Sequence, residues 1–133
     1  MAKLKTHKIL ASEPQFLAIP DHYVNLVGKI AYANLAGLAK VNDNLYPGEK
    51  VIQRGTLVNL DADGVVTKPS ATAAPNAVIF NTIRLNDYDT TDTFVNATVL
   101  VHGFVREDRL IAVDTTNGTV AQLANDMIYV MAK

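Results

Sequence analysis

The chain contains no cysteine and no tryptophan, and only 7% of its residues are aromatic. Without cysteine it can form neither a disulfide nor a thiolate metal site, so cysteine usage does not distinguish a reducing from an oxidising compartment. So few aromatic residues argue against a platform on which nucleic-acid bases stack. The 12 basic and 13 acidic residues give a formal net charge of −1, whereas a nucleic-acid-binding domain normally carries a basic excess.

Long hydrophobic runs are also absent, although hydrophobic residues make up 49% of the sequence. No apolar run approaches the about 20 residues needed to cross a bilayer. The N-terminal residues 1–10 contain three lysines but no uninterrupted apolar stretch behind them, so we expect no signal peptide and synthesis in the cytoplasm. At 133 residues, with no repeat or linker, the chain has the size of one domain.

The strongest secondary-structure signal lies in residues 76–113. Two apolar runs of strand length flank an Asp/Thr-rich loop, and a third, shorter run follows a charged turn. Runs of about 4–8 β-branched and aliphatic residues bounded by Asn, Asp and Gly are typical of strands. The pattern predicts the central sheet of a mainly β domain with a small α-helical contribution.

Turn signals separate further strands before this sheet. A Pro-Gly dipeptide at residues 47–48 predicts a tight turn, and an Asp-Gly dipeptide at residues 63–64 predicts a hairpin. Residues 51–60 should form one strand, in which Gly55 marks a bulge or a close backbone approach.

The two ends of the predicted domain are less regular. Residues 23–41 fit helical and strand spacing, and we expect a short strand near residues 25–33. Near the C-terminus, Thr119 can cap a short helix over residues 120–126, and residues 127–131 fit a closing strand.

The N-terminal segment, residues 1–22, differs from the rest. Pro14 and Pro20 push the residues before them into extended conformations, and no helical period is visible. We interpret residues 1–22 as an extended arm and residues 23–133 as a single β-rich domain. Phe16, Leu17 and Ile19 would anchor the arm to a partner; the alternative is a frayed terminus.

Two groups of polar residues are candidates for a chemical site. Asp87, Asp89 and Asp92 put three carboxylates in one loop, but the spacing lacks the glycine and the distant glutamate of an EF-hand, and turn aspartates commonly bond their own backbone. His102 lies in the middle of a predicted strand with no metal-ligand spacing to the other histidines. Neither group predicts a metal site.

Strict alternation along residues 97–105 assigns the side chains to two faces. The face expected to line the core is wholly apolar and consists of Ala97, Val99, Val101 and Val105. The other, half-covered face, which could meet a neighbouring subunit, consists of Thr98, Leu100, His102 and Phe104.

No arrangement for catalysis emerges from the sequence. The two serines, Ser12 and Ser70, stand in loop or arm contexts without a surrounding motif, and no glycine-rich phosphate loop is present. We therefore predict a protein that is not an enzyme and needs no cofactor and no metal.

The order of these segments resembles the lambda-type head decoration proteins of tailed bacteriophages and prophages. The matching features are a Gly-Thr-Leu-Val strand at residues 55–58, an aliphatic strand ending in an Asp-rich turn at residues 78–89, and a Val-Leu-Val-x-Gly-x-Val strand at residues 99–105. The closing helix and strand at residues 120–130 complete a resemblance that covers roughly residues 45–131.

The resemblance implies a compact β-barrel or β-tulip-like domain with an extended N-terminal arm and a short C-terminal helix. It implies a homotrimer on the outer head surface of the virion, where the protein bridges major capsid proteins without binding nucleic acid or membrane. The capsid-binding residues of the arm would be Leu4, Ile9, Phe16, Leu17 and Ile19. Candidate subunit contacts would be His102, Phe104 and Tyr88.

Two other functions stay open on the residues alone. A head fibre or other β-type binding module that recognises a carbohydrate or host-surface ligand would need an exposed aromatic patch. The candidates for that patch are Tyr23, Tyr32, Tyr46 and Tyr88. A metal-dependent enzyme would have to use Asp87, Asp89 and Asp92.

Overall fold

The computed structural model describes residues 16–19, 22–41, 46–85, 88 and 93–132. Within these residues none of the helices is long and apolar enough to cross a membrane. The α-helix and nine strands are β1 (Val24–Ala31), α1 (Tyr32–Leu38), β2 (Lys40–Val41), β3 (Lys50–Ile52), β4 (Leu57–Leu60), β5 (Val66–Thr67), β6 (Ala77–Ile79), β7 (Ile83–Arg84), β8 (Phe94–Arg106) and β9 (Ile128–Met131). Short 3₁₀ helices occupy Glu107–Arg109 and Val120–Gln122.

The strands form two sheets, which confirms a mainly β domain. The larger sheet has the order β1-β8-β6-β4-β5, with β9 added beside β8, and the smaller sheet has the order β2-β3-β7. The β8–β9 pair is parallel, and the other pairs of named strands are antiparallel.

Strand β8 is the centre of the larger sheet because it has partners on both edges. Along one edge it pairs with β1 over residues 94–102, and an isolated bridge between Leu17 and Val105 continues that edge. Along the other edge it pairs with β6 at residues 99–100 and then with β9 at residues 103–106. This strand has 13 residues, long enough for all of these pairings.

Apolar side chains form two main core clusters. The first lies among the larger sheet, α1 and the smaller sheet, and includes Leu35, Ile52 and Val99. The second lies at the other end of β8 and consists of Phe16, Leu17, Leu57, Val78, Leu100, Val105 and Ile128. Burial of a side chain such as leucine or phenylalanine contributes about 1.5–3 kcal/mol, so both clusters stabilise the fold.

The expected closure of the sheet into a barrel is not found in the described residues. A single isolated bridge between Lys29 and Val65 joins β1 to the chain next to β5, and Lys29 N–H donates to Gly64 O at 2.8 Å. Since β5 has only two residues, it offers no length for a continuous ladder with β1. No other described strand pairs with the outer edge of β1.

Residues 51–60 were expected to form one strand, and this prediction is wrong. The segment divides into β3 and β4, which belong to different sheets. The chain turns between them at Gly55, which has a φ of +95°. An added Cβ at Gly55 would lie 2.6 Å from the carbonyl oxygen of Arg109, so the predicted close backbone approach is confirmed. In place of a bulge within one strand, the chain passes from one sheet to the other at this glycine.

The regions that flank the central sheet also differ from expectation. The strand expected near residues 25–33 is confirmed as β1, but α1 follows it directly where no helix was assigned. The helix expected over residues 120–126 is only the 3₁₀ helix Val120–Gln122, in which Gln122 Oε1 accepts from Thr119 N–H at 3.1 Å. Ala124 N–H then donates to Pro75 O at 2.7 Å, which draws the chain away from a helical path.

A register shift in β8 breaks the alternation predicted for its side chains. Val24 pairs with His102 while the next residue, Asn25, pairs with Leu100, so β8 has one extra residue at this point. Beyond the shift, the even-numbered and odd-numbered residues of β8 exchange the faces to which their side chains point. Leu100 and Val105 therefore share the second core cluster, although strict alternation placed them on opposite faces.

The end of the predicted arm is part of the domain. Phe16 is 0% exposed and Leu17 is 6% exposed, and both pack in the second core cluster. Phe16 O accepts from Arg106 N–H at 2.7 Å, and Ala18 N–H donates to Phe104 O at 2.8 Å. Any separate arm is therefore confined to residues before Phe16.

Asp114 organises the turn that precedes the 3₁₀ helix Val120–Gln122. Its Oδ1 accepts the N–H groups of Thr116 at 2.8 Å and Asn117 at 3.1 Å, and its Oδ2 accepts from Asn117 Nδ2 at 3.2 Å. These bonds favour the charged carboxylate, and the backbone N–H of Thr116 contributes most to lowering the pKa of Asp114.

We expect an NMR titration of the Asp114 carboxyl group to show a midpoint below its ordinary pKa of 3.8. A lowered folded-state pKa means that the stabilising contribution is present above the ordinary value and is lost as the pH falls through the folded-state pKa. Asn117→Ala removes one donor and should move the midpoint upwards. A midpoint at or above 3.8 would show that the turn does not hold the carboxylate in this way.

Gly55→Ala should destabilise the protein by about 2–4 kcal/mol in chemical denaturation, because it combines backbone strain with overlap against Arg109 O. Gly48→Ala is the matched control. Its φ is +72° but nothing lies within 4 Å of the new Cβ, so only the backbone cost of about 1–2 kcal/mol is expected. Equal losses for the two variants would rule out the close contact at Gly55.

Candidate binding surface

An open apolar groove lies where the N-terminal segment passes the start of β1. Its volume is about 580 Å³. The groove lies beside β8 between Leu17, which bridges Val105, and Val24, which pairs with His102. The lining residues are Ile19, His22, Tyr23, Val24, His102 and Phe104.

Aromatic contacts connect this groove to the core. Tyr23 stacks on Phe80 with ring centroids 5.1 Å apart, and Phe80 meets Phe16 edge-to-face at 5.8 Å. The Cβ of Tyr23 lies close above Gly103, where an added Cβ would come within 3.2 Å of it. Packed aromatic side chains therefore connect the Tyr23 side of the groove to the second core cluster.

A second apolar surface continues from the groove onto β9. The rings of Phe104 and Tyr129 stack at 5.0 Å with an interplanar angle of 20°. Tyr129 and Met131 are both substantially exposed and alternate along β9, so they project from the same face, and the exposed Met127 precedes them. We call the exposed side chains of Met127, Tyr129 and Met131 the β9 patch.

A third apolar surface is the outer edge of β1. Val24, Leu26 and Val27 are exposed, and Val27 reaches 69%. Adjacent strand residues point to opposite faces, so exposure of both Leu26 and Val27 means that both faces of β1 are uncovered there. Residues 24–28 of this edge strand carry no charge and no proline, and such a segment is a site where another strand can pair. We call Val24, Leu26 and Val27 the β1 edge.

The structure brings together some of the predicted contact residues and separates others. His102 and Phe104 both line the groove, and Ile19 joins them there. Tyr88 packs instead against the first core cluster. Leu4 and Ile9 lie outside the described residues.

Phe16 and Leu17 do not fit the role of capsid anchors. Their side chains are buried within their own domain, and a buried side chain cannot contact another protein unless the domain opens. The sequence signal, apolar residues beside prolines, cannot distinguish packing on the same chain from packing on a partner. These two residues fasten the N-terminal segment to β8.

The described residues contain no candidate metal site. No group of three or more His, Asp or Glu side chains among these residues could hold a metal ion. The carboxylates of Asp87, Asp89 and Asp92 lie outside the described residues, so this observation does not bear on them.

Sequence reasoning did not single out the β1 edge or the β9 patch. Both strands were expected, but a strand's position at the edge of a sheet depends on its partners and not on its own residues. One signal was available: residues 23–28 and 127–131 are uncharged and largely apolar. No family model matches the chain, and no curated protein matches it significantly.

The stacked pair of Phe104 and Tyr129 should show a favourable interaction of about 0.5–1.5 kcal/mol in a double-mutant cycle with alanine, measured by chemical denaturation. The pair Phe104 and Tyr32 is a suitable control, because Tyr32 packs against the first core cluster. An interaction energy near zero for Phe104 and Tyr129 would indicate that the two rings do not stack in solution.

Proposed function

We propose that this protein is a structural virion protein that binds the outer surface of a mature phage capsid. It acts as a trimer and stabilises the shell by bridging major capsid proteins. The observation that supports this role most is the amount of apolar surface on a small β domain, distributed over the groove, the β1 edge and the β9 patch. Apolar surface of this kind marks sites of association between proteins.

The attachment of the N-terminal segment supports a role for the residues that precede it. Phe16 and Leu17 fix this segment at the end of β8, so residues 1–15 start from a defined point on the domain. Fifteen residues can reach at most about 50 Å when fully extended, enough to contact a neighbouring protein. An extended segment can add a strand to the edge of a partner's sheet, where main-chain hydrogen bonds supply affinity.

A repeating shell makes weak contacts sufficient. Each copy needs only a modest affinity for the capsid, because copies linked in a trimer bind several sites at once and the linked sites raise the effective concentration. The nearly balanced net charge of −1 suits this role because it lets copies lie close together with little repulsion. No catalytic step is required, and we propose that the protein is not an enzyme.

The alternative of a carbohydrate-binding module loses support from the positions of its four tyrosines. Tyr46 is buried, Tyr32 and Tyr88 pack against the first core cluster, and Tyr23 is stacked on Phe80. They do not form the single exposed aromatic patch that such a module would need.

Deletion of residues 1–15 should abolish addition of the protein to capsids that lack it, measured by co-sedimentation, while the melting temperature changes little because Phe16 and Leu17 stay in place. In the full chain, Leu4→Asp with Ile9→Asp should have the same effect. Thr6→Asp with Ser12→Asp adds the same charge to the same segment at polar positions and should leave binding nearly intact.

The outcomes separate the arm from the function. If the shortened protein binds as well as the full chain, residues 1–15 are not the capsid-binding segment. If the full chain does not co-sediment with mature capsids, the proposed function itself is wrong.

A further inference from the structure

Among the described residues, the larger sheet has open strand edges at β1 and at β9, and each lies in a run of uncharged residues. Within the part of the chain that the structure describes, residues 23–27 have no strand partner on the outer edge of β1, before the bridge from Lys29 to Val65. The outer edge of β9 is open because, among the described residues, β9 pairs only with β8. Proteins normally protect such edges with charges, prolines or a covering segment.

The backbone groups on the β1 edge can be assigned from one hydrogen bond. Lys29 N–H donates to Gly64 O, so Lys29 turns its backbone groups away from β8. In an antiparallel strand every second residue faces the same way, so Asn25 and Val27 also direct their N–H and C=O groups outwards. Within the described residues these outward groups have no backbone partner.

The backbone groups on β9 follow in the same way. Gly103 N–H donates to Met127 O at 3.1 Å, so Met127, and with it Tyr129, faces β8. Ile128 and Val130 therefore direct their backbone groups outwards. Ile128 N–H is taken by Asn125 O at 3.2 Å, which leaves the C=O of Ile128 and both groups of Val130 available.

We propose that the β1 edge of one copy pairs with β9 of a second copy of this chain, in an antiparallel arrangement with Asn25 opposite Val130 and Val27 opposite Ile128. This contact rests on the proposed function, of which it specifies the subunit interface. Because its two surfaces differ, the contact is head-to-tail, a type of contact that forms a ring when the rotation between copies closes, and the ring of the proposed function has three copies.

Three features of the two strands fit this register. Outward-facing backbone groups meet outward-facing groups, which allows three hydrogen bonds between the chains. Leu26 comes opposite Tyr129 and Val24 opposite Met131, so exposed apolar side chains cover each other. Asp126 lies in the turn just before β9, next to the end of the paired segment, so its exposed carboxylate comes near the exposed side chain of Lys29, whose backbone is already bonded to Gly64 of its own copy.

The charged pair also favours a β1–β9 contact over a contact of two copies through β1 alone. In two β1 strands paired antiparallel across a two-fold axis, the facing strand would offer Lys29 no acid, since residues 23–31 contain no carboxylate. Opposite charges on neighbouring residues of two paired strands stabilise the pair, and Asp126, next to β9, supplies the negative charge.

The first experiment uses the lack of native cysteine. Leu26→Cys with Tyr129→Cys places one thiol on each strand at a facing, non-hydrogen-bonded pair, where the Cβ atoms suit a disulfide. Within one copy these positions pair with Val99 and Phe104, which are five residues apart on β8, or about 16 Å, too far for a disulfide.

Oxidation of the purified double variant should convert most of it into covalent trimers on a non-reducing gel. Leu26→Cys with Val41→Cys is the matched control, because Val41 is equally exposed but lies on β2 of the smaller sheet, and it should stay largely unlinked. Dimers formed by Leu26→Cys alone at the same rate would overturn the proposed pairing, as would an unlinked Leu26→Cys, Tyr129→Cys variant.

The second experiment measures mass in solution by light scattering. Wild-type protein should have three times the mass of one chain. Val27→Asp should shift this mass to that of a monomer, while Val41→Asp should not. A monomeric wild-type protein at the highest soluble concentration, or a Val27→Asp variant that stays trimeric, would overturn the contact.

Co-sedimentation with capsids is measured separately, so the two proposals fail independently. A protein that is monomeric and unlinked but still binds capsids would retain the proposed function and lose the β1–β9 contact. If the Leu26→Cys, Tyr129→Cys variant forms cross-linked trimers and neither it nor the wild-type protein binds capsids, the β1–β9 contact stands and the proposed function is wrong.

Discussion

The hydrogen-bonded pairing of β8 on both of its edges is the interaction on which the rest of the structure depends. β1 and Leu17 occupy one edge, and β6 and β9 occupy the other. Because β8 is much longer than its neighbours, it passes through both main core clusters and contributes Val99 to one and Leu100 to the other. β8 therefore holds β1, β6 and β9 in one sheet and packs in both main core clusters.

The register shift in β8 links the core to the surface. One extra residue near Val101 reverses the alternation, so Leu100 and Val105 reach the same core cluster while His102 and Phe104 line the open groove. Gly103 has no side chain at the point where the Cβ of Tyr23 lies closest. In a strand with regular alternation, Leu100 would share a face with His102 and Phe104, and Val105 would lie on the opposite face.

Local patterns in the sequence were sufficient for the β-rich class and for several turns. The dipeptides at residues 47–48 and 63–64 predicted turns, and Gly48 and Gly64 adopt positive φ there. Local patterns could not reveal that residues 51–60 serve two sheets, because the break at Gly55 is set by the distant carbonyl of Arg109. The burial of Phe16 and the open edges of β1 and β9 likewise depend on which strands meet, and a strand's own residues do not encode its neighbours.

These features describe a domain with a fixed N-terminal attachment and open apolar edges, properties that suit assembly on a repeating protein surface. The most direct measurement is an electron cryomicroscopy reconstruction of mature capsids incubated with the protein. We expect density for groups of three copies on the outer surface, with residues 1–15 in contact with the major capsid protein. Capsids without added density, or single copies whose residues 1–15 touch no other chain, would contradict this role.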